Sequence, residues 1–311
     1  MVNISIIIVN YNTKNMLKDC LNSIIDNINN LRYEIIVIDN ASCDGSYKMV
    51  LNDFPKVNLI QNEINVGFAK ANNQGIKVAK GKYILLLNSD TILLKNSIAN
   101  VYNFLEENEN VGIATCKVLG EDMMPQYWAS RNFPNLWTEF CLYSHLSNIF
   151  PNSKIFSRYM MSNWNCNSTR EVDVIQGAYM MIRNSPLKDV GLLDERFFMY
   201  AEDIDLCYRF YKNGWKIFFV HTAEIIHYGG GSSRKISNKM YWVGYYSMYL
   251  YFKKHYGTVY ANLYKFLRKI ISFTYLIILY ARKILKKNVN GKMIIKHKGI
   301  LISPEGYKNV I

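Results

Sequence analysis

Over the first 120 residues, short β-branched runs alternate with polar, helix-like segments, the pattern of parallel strands joined by crossover helices. Ile4 to Val9 reads as the first strand, Glu34 to Ile38 as the second, Leu59-Ile60 as a short third, Tyr83 to Leu87 as the fourth and Val111 to Lys117 as the fifth. The clearest crossover runs from Thr13 to about Asn29, with Leu17, Leu21, Ile24, Ile25 and Ile28 on one helical face. From Glu121 to about Arg170 the periodicity weakens, and loops with short helices are expected. Strong apolar signal returns over Val172 to Ile182 and Trp215 to Tyr228. Between them, Glu202 to Asn213 fits a helix with Ile204, Cys207, Tyr208 and Tyr211 on one face and Gly214 at the C-terminal cap. The chain after Lys239 reads as helical, aromatic and basic, and no internal repeat is apparent.

Composition narrows the class. With 311 residues at 50% hydrophobic content, the chain can bury a sizeable core. Its six cysteines are scattered without a C-x-x-C pair, which indicates neither a zinc site nor a disulfide framework and points to a reducing compartment. The N-terminus lacks a basic stretch followed by a longer apolar core, so a cytoplasmic protein is expected. The formal charge is +13, and its distribution matters more than its size. Nine Lys or Arg and no Asp or Glu lie between Lys253 and Lys287, around twelve uncharged residues from Ile270 to Ala281. That stretch is short of the ~20 residues that a membrane-crossing helix requires. Two readings of it stay open: a helix on an anionic membrane surface, peripheral at the inner face of the cell membrane, or a packed helix with a solvated basic face. Nucleic acid is not expected as a partner, because no recognised binding motif is present.

The chemistry concentrates where strands end. The apolar run Tyr83 to Leu87 stops on Asn88-Ser89-Asp90, and acid at the carboxyl end of a buried strand is where open α/β sheets place ligands. A second acidic cluster, Glu202-Asp203-Ile204-Asp205, opens a helix, and two carboxylate sites suggest a metal and a base. The first strand ends in Asn10-Tyr11-Asn12 and the second in Asp39, followed by Asp44-Gly45. Parallel strands open toward one edge, so Asp39 is suited to accept hydrogen bonds from a base ring or ribose, whereas Asp44-Gly45 reads as turn chemistry. The stretch Asn65 to Gly75 has small residues but is neither G-x-G-x-x-G nor a phosphate loop, which disfavours a dinucleotide cofactor. Asp205 and Arg209, four apart on a helix, read as a structural pair.

Taken in order, Ser5 to Asn12, Asp39 to Ser46, Asn65 to Ala69, Leu87 to Asp90, Gly177-Ala178 and Asp194 to Leu206 resemble the motifs of family 2 glycosyltransferases with the GT-A fold, in the rhamnosyltransferase-like branch. The resemblance covers about residues 4 to 232. It implies an α/β GT-A fold with a mostly parallel central sheet flanked by helices. It also implies a catalytic domain over 1–238, with a donor half to about 120 and an acceptor half from about 121, and a basic helical extension over 239–311. The implied reaction is inverting and metal-dependent. A sugar leaves a nucleotide diphosphate, with dTDP-L-rhamnose as the suggested donor, for a saccharide or lipid-linked acceptor in cell-surface polysaccharide synthesis.

The resemblance also assigns roles. Asp203 is the base, with Glu202 beside it as a catalytic and acceptor-binding residue. A position in the first helical turn is expected to keep Asp203 ionised through the helix dipole and to make it a weaker base. Donor contacts are implied for Asn10, Tyr11, Asn12, Asp39, Asn65, Gly67, Phe68, Asn72, Asn88, Ser89, Asp90, Ser232 and Ser233, and acceptor contacts for Gly177 and Ala178. Asp90 and His227 are the candidate ligands of Mg²⁺ or Mn²⁺, while His221 and His145 read as structural. The family's usual Asp-x-Asp has Asn88 in its first position here. That departure keeps one alternative open, a catalytically silent nucleotide-sugar or carbohydrate-binding module, and a nucleotidyltransferase, which shares the sheet topology, is another. A plainer reading has Asn88 to Asp90 cap a helix starting near Lys95.

Overall fold

A computed structural model describes residues 2–28, 30–229, 237–285 and 291–302. By its internal packing the chain divides into two compact units, residues 1–133, 164–196 and 202–232, and residues 134–163, 197–201 and 233–311.

The first unit holds the sheet. Its strands are β1 (Val2–Asn10), β2 (Tyr33–Asn40), β3 (Asn58–Asn62), β4 (Gly81–Asn88), β5 (Thr91–Leu93), β6 (Val111–Leu119), β7 (Ser130–Arg131), β8 (Arg170–Glu171), β9 (Val174–Ile175), β10 (Tyr179–Arg183) and β11 (Lys216–His227). One sheet runs in the order β3-β2-β1-β4-β10-β6-β11-β5, with β8 beside β11, and β7 pairs β9 separately. Strands β3, β2, β1 and β4 are mutually parallel, as are β6 and β11, while β10 is antiparallel to both β4 and β6. The five runs expected from residues 4 to 117 are all strands, each a few residues longer than its apolar core. Strand β1 is buried on both faces, which explains a continuous Ile/Val run in place of an alternating one.

Helices α1 (Lys14–Asn27), α2 (Ser46–Asp53), α3 (Phe68–Val78), α4 (Ser97–Glu107) and the short α7 (Leu187–Val190) connect or cover the strands. On α1 and its C-cap, Leu17, Leu21, Ile24 and Ile28 face the core as expected, while Cys20 is buried in place of Ile25, which faces solvent. Gly81 opens β4 where a Cβ would lie 2.6 Å from Tyr83 O and would also strike the backbone of Ile4 and Ser5. Only glycine allows β1 and β4 to approach this closely. Helix α8 (Glu202–Lys212) buries Ile204, Leu206, Cys207 and Phe210 and leaves Tyr211 exposed, contrary to the face expected for it. Gly214 takes φ +81° just past its end, as a C-terminal cap requires. The Asp205–Arg209 pair is structural as expected. The guanidinium meets Asp205 Oδ2 at 2.8 Å and donates to the carbonyls of Val190, Gly191 and Leu192.

The second unit is helical: α5 (Leu136–Tyr143), α6 (Leu146–Ile149), α9 (Ser237–Tyr256), α10 (Thr258–Ile284) and α11 (Gly291–Ile302). Its interior is built on tyrosines around Arg268. That guanidinium lies 3.2 Å from the centre of the Tyr143 ring and donates to the hydroxyls of Tyr264 (3.1 Å) and Tyr241 (2.7 Å). None of the described helices is long and apolar enough to cross a membrane.

Candidate active site

The parallel strands end on one edge of the sheet, and the polar residues found there are tied to one another. Buried Asn10 donates to Asp39 Oδ1 (3.1 Å) and Ser42 Oγ (3.0 Å), and its amide oxygen accepts from Thr13 Oγ1 (2.6 Å). Asp39 Oδ2 accepts the Ser42 N–H (3.1 Å), and Asn12, at φ +55°, accepts the Cys43 N–H (2.8 Å). Together these bonds pin the β1 and β2 loops side by side, with Tyr11 half-buried beside them. Asp44 is turn chemistry as expected. Its carboxylate accepts the N–H of Lys14, the first residue of α1, and the N–H and hydroxyl of Ser46, the first of α2.

One loop further along, Asn65 Oδ1 accepts from Asn40 (2.8 Å) and from the Gly67 N–H (3.0 Å). Gly67 has φ +87° and turns the chain into α3, where Asn72 donates to Phe68 O. The Phe68 ring lies so close to Gly177 that a Cβ there would stand 3.3 Å from it. Ala178 O accepts the Asn88 N–H (3.1 Å), which brings the two motifs together across β4 and β10.

The end of β4 carries the first cluster. After Asn88 the chain enters β5, whereas α4 begins at Ser97 with Asn96 as its N-cap, so Asn88 to Asp90 does not cap a helix. Ser89 shares a hydrogen bond with Thr13 (2.8 Å). Strand β5 pairs with β11 so that Thr91 faces His227, which carries the imidazole to Asp90. Nε2 of His227 lies 3.3 Å from Asp90 Oδ1 and 3.3 Å from Asn88 Nδ2. The other ring nitrogen meets Gln126 Oε1 at 3.0 Å, and Gln126 also donates to His227 O at 2.7 Å. With Nδ1–H donating to Gln126, the lone pair of Nε2 points at Asp90 and Asn88.

These groups fit a divalent cation. Ligands of an octahedral ion at about 2.1 Å stand about 3 Å apart, close to the Asp90–His227 separation. The donor set is one carboxylate and one imidazole, with Asn88 turning its NH2 group toward the imidazole beside them, and among the described residues no group of three or more His, Cys, Asp or Glu is placed to hold a metal.

The second cluster opens α8. Tyr200 (φ +69°) and Ala201 (φ +64°) precede it in left-handed conformation, an arrangement that non-glycine residues adopt at a cost and that gathers at functional sites. Within the second unit, Ser247 of α9 donates to Met199 O (2.8 Å). Both Glu202 and Asp203 are buried. Arg131 Nη2 reaches Asp203 Oδ2 at 3.2 Å, and Asp203 Oδ1 accepts the Ile204 N–H at 2.8 Å.

Burial, reinforced by the neighbouring Asp203 charge, pushes Glu202 well above the usual carboxylate range. It also raises Asp203, against the pull of Arg131. Here the expectation of a base weakened by the helix dipole is corrected. Desolvation outweighs the first-turn position and makes Asp203 a stronger base than a free aspartate. Among the described residues Glu202 Oε2 meets no hydrogen-bond partner, and a carboxyl held protonated further toward neutral pH has a proton to donate.

Two residues that sequence reading missed organise both clusters. Gln126 orients His227 and Arg131 holds Asp203, and they lie five positions apart on a segment without periodicity, running through the turn Tyr127–Ala129 into β7. No local signal marks either one. Ser232 and Ser233 lie outside the described residues.

The family profile described as "Glycosyl transferase family 2" matches residues 5–191. The chain is 27% identical over 246 residues to the rhamnosyltransferase WbbL of Escherichia coli K12, covering 76% of this chain and 87% of that protein. It is 25% identical over 210 residues to the N-acetylglucosaminyl-diphospho-decaprenol L-rhamnosyltransferase of Mycobacterium tuberculosis, covering 64% of this chain and 67% of the relative. Among solved structures, Staphylococcus aureus TarS 1-349 in complex with UDP-GlcNAc is similar with a TM-score of 0.52 at 19% identity, over 81% of this chain and 67% of that one. GalNAc-T7 with UDP, GalNAc and Mn²⁺ is similar with a TM-score of 0.56 at 18% identity, over 73% of this chain and 44% of that one. These two likenesses concern the fold.

Proposed function

The chain belongs to glycosyl transferase family 2 and is a glycosyltransferase of GT-A fold, and we propose that it is inverting and metal-dependent, moving L-rhamnose from dTDP-L-rhamnose to a saccharide or lipid-linked acceptor. The relatives named as rhamnosyltransferases support the donor sugar, and the decaprenol in one of their names supports a lipid-linked acceptor in cell-surface glycan synthesis. One observation carries the reading: the single segment from Gln126 to Arg131 steadies both the cation-compatible Asp90–His227 pair and a buried carboxylate pair.

Each group then has a task. Asp203 takes the proton from the acceptor hydroxyl, and the freed oxygen attacks the anomeric carbon from the face opposite the leaving diphosphate. The glycosidic C–O bond forms as the bond to the diphosphate breaks, and configuration inverts. Glu202 donates a hydrogen bond to the acceptor. Asp90 and His227 are the residues that would hold Mg²⁺ or Mn²⁺, with Asn88 beside them, and a bound cation would offset the charge that grows on the departing diphosphate. The Asn10–Asp39 and Asn40–Asn65 networks present the loops that receive the nucleotide. A catalytically silent module is disfavoured by the raised basicity of Asp203, because a binding module gains nothing from an aspartate made more basic. The fifteen Lys or Arg and no Asp or Glu between residues 225 and 304 support work at an anionic membrane surface.

The test is a panel of nucleotide-sugars with Mg²⁺ or Mn²⁺, following nucleoside diphosphate release with and without acceptor. Asp203→Asn is expected to keep donor binding while lowering transfer by about 10²–10⁴-fold. Donor binding without turnover on every acceptor, or pyrophosphate release from a nucleoside triphosphate, overturns the proposal.

A further inference from the structure

Helix α10 is packed on one face and bare on the other. Tyr264, Arg268, Ile271 and Leu279 are buried, whereas Val259, Leu263, Phe266, Ile270, Phe273 and Ile277 are 48–77% exposed. The exposed residues follow one another at alternating spacings of four and three, and Ile284, 81% exposed, continues the register. At 100° per residue all of them fall within about 40° of one direction, so the helix presents a continuous apolar stripe about 40 Å long. Lone exposed apolar residues need no explanation, but a contiguous stripe marks a surface that meets something.

A spacing of 3.5 residues is also that of a coiled-coil seam, and charge decides between a second copy of the chain and a lipid surface. Residues 225 to 304 hold fifteen Lys or Arg and no Asp or Glu, while the rest of the chain holds twenty-two against twenty-four. The whole net positive charge therefore resides in the segment that carries the stripe. Lys265, Lys269 and Lys283 fall on one flank of it, and two copies paired along the stripe would bring cation against cation without an acidic partner. An anionic bilayer supplies the missing charge. Crossing the bilayer is ruled out for α10 by its other face, which packs Arg268 among the tyrosines of its own unit.

We infer that the stripe from Val259 to Ile284 is the face by which the protein docks on an anionic lipid surface, α10 lying in the plane of the interface with its phenylalanines and isoleucines in the acyl boundary and its lysines among the headgroups. The inference deepens the membrane part of the proposed function.

Sedimentation of the full chain with phosphatidylcholine vesicles, with and without phosphatidylglycerol, tests it. Binding is expected only when phosphatidylglycerol is present and is expected to fall as salt shortens the screening length. Phe266→Gln combined with Phe273→Gln is expected to lower the partition coefficient at least tenfold, with an unchanged circular dichroism spectrum and unchanged transfer to a water-soluble acceptor. Equal sedimentation with neutral vesicles, an unaffected double variant, or a stable dimer in solution that the double variant dissociates overturns the inference. Vesicle binding is read without turnover, so a protein that docks but transfers no sugar sinks the proposed function and leaves the docking face standing, and the converse result does the reverse.

Discussion

Replacing Arg131 with Met removes the guanidinium that meets Asp203 and keeps most of the side-chain volume. Two charges about 4 Å apart interact by ~4 kcal/mol at an effective dielectric of about 20. The side chains of Arg131 and Asp203 are 17% and 11% exposed, so solvent screens part of this. A loss of about 2–4 kcal/mol is expected, near the low end of what breaking a buried pair from one side costs. The sign of its pH dependence follows from Asp203. Its folded-state value lies above the ordinary 3.8, so the folded chain holds the proton more tightly and stability falls as pH rises from 3.8 through the raised value. Loss of the guanidinium raises that value further and widens the window. The deficit is therefore expected to shrink as pH falls and Asp203 takes up its proton, and to grow toward neutral pH. Urea midpoints at a series of pH values measure it, and the acidic limb of the kcat/KM profile should move to higher pH in parallel. A deficit that does not vary with pH, or a limb that moves to lower pH, would refute the assignment of Arg131 to Asp203.

Other expectations are more direct. Gln126→Leu removes the acceptor for His227 Nδ1 and should weaken Mn²⁺ binding by about 10–100-fold in an electron paramagnetic resonance titration, as loss of a ligand's orienting partner does. Asn88→Asp restores a second carboxylate and should tighten Mn²⁺ by about tenfold or more in the same titration, because affinity follows the charge of the ligand set. An unchanged affinity would remove Asn88 from the site. Gly81→Ala drives a Cβ into the β1 and β4 backbones and should lower stability by about 3 kcal/mol or more in chemical denaturation, with no rescue by ligand contacts.

Much of the fold and part of the site were legible along the chain. The β-branched runs ending at Asn10, Asp39 and Asn88 located β1, β2 and β4, because a strand buried on both faces must be continuously apolar and must stop where polar loops begin. The same stops marked Asp90, and the acidic opening of α8 marked Glu202 and Asp203. Helical periodicity found α1 and α8 but set their faces slightly wrong, exposing Ile25 and Tyr211, since the neighbours that choose the buried side are not contained in the period. Asp44 was read correctly because its partners at Lys14 and Ser46 express ordinary turn and cap chemistry.

Other features depend on groups that meet only once the chain has folded. Gln126 finds His227 across 101 positions and Arg131 finds Asp203 across 72, from a segment whose own residues show no pattern. The basicity of Asp203 likewise turned out opposite to the local expectation, because desolvation depends on everything packed around a carboxyl and the helix dipole only on its place in one turn. The bare stripe of α10 follows the same logic. Its 3.5-residue spacing stands in the sequence, but which of two apolar faces remains uncovered was set by where Arg268 and the tyrosines packed. Strand and helix follow from short-range preferences carried by each stretch of chain, whereas burial, pairing and exposure belong to residues that folding brings together.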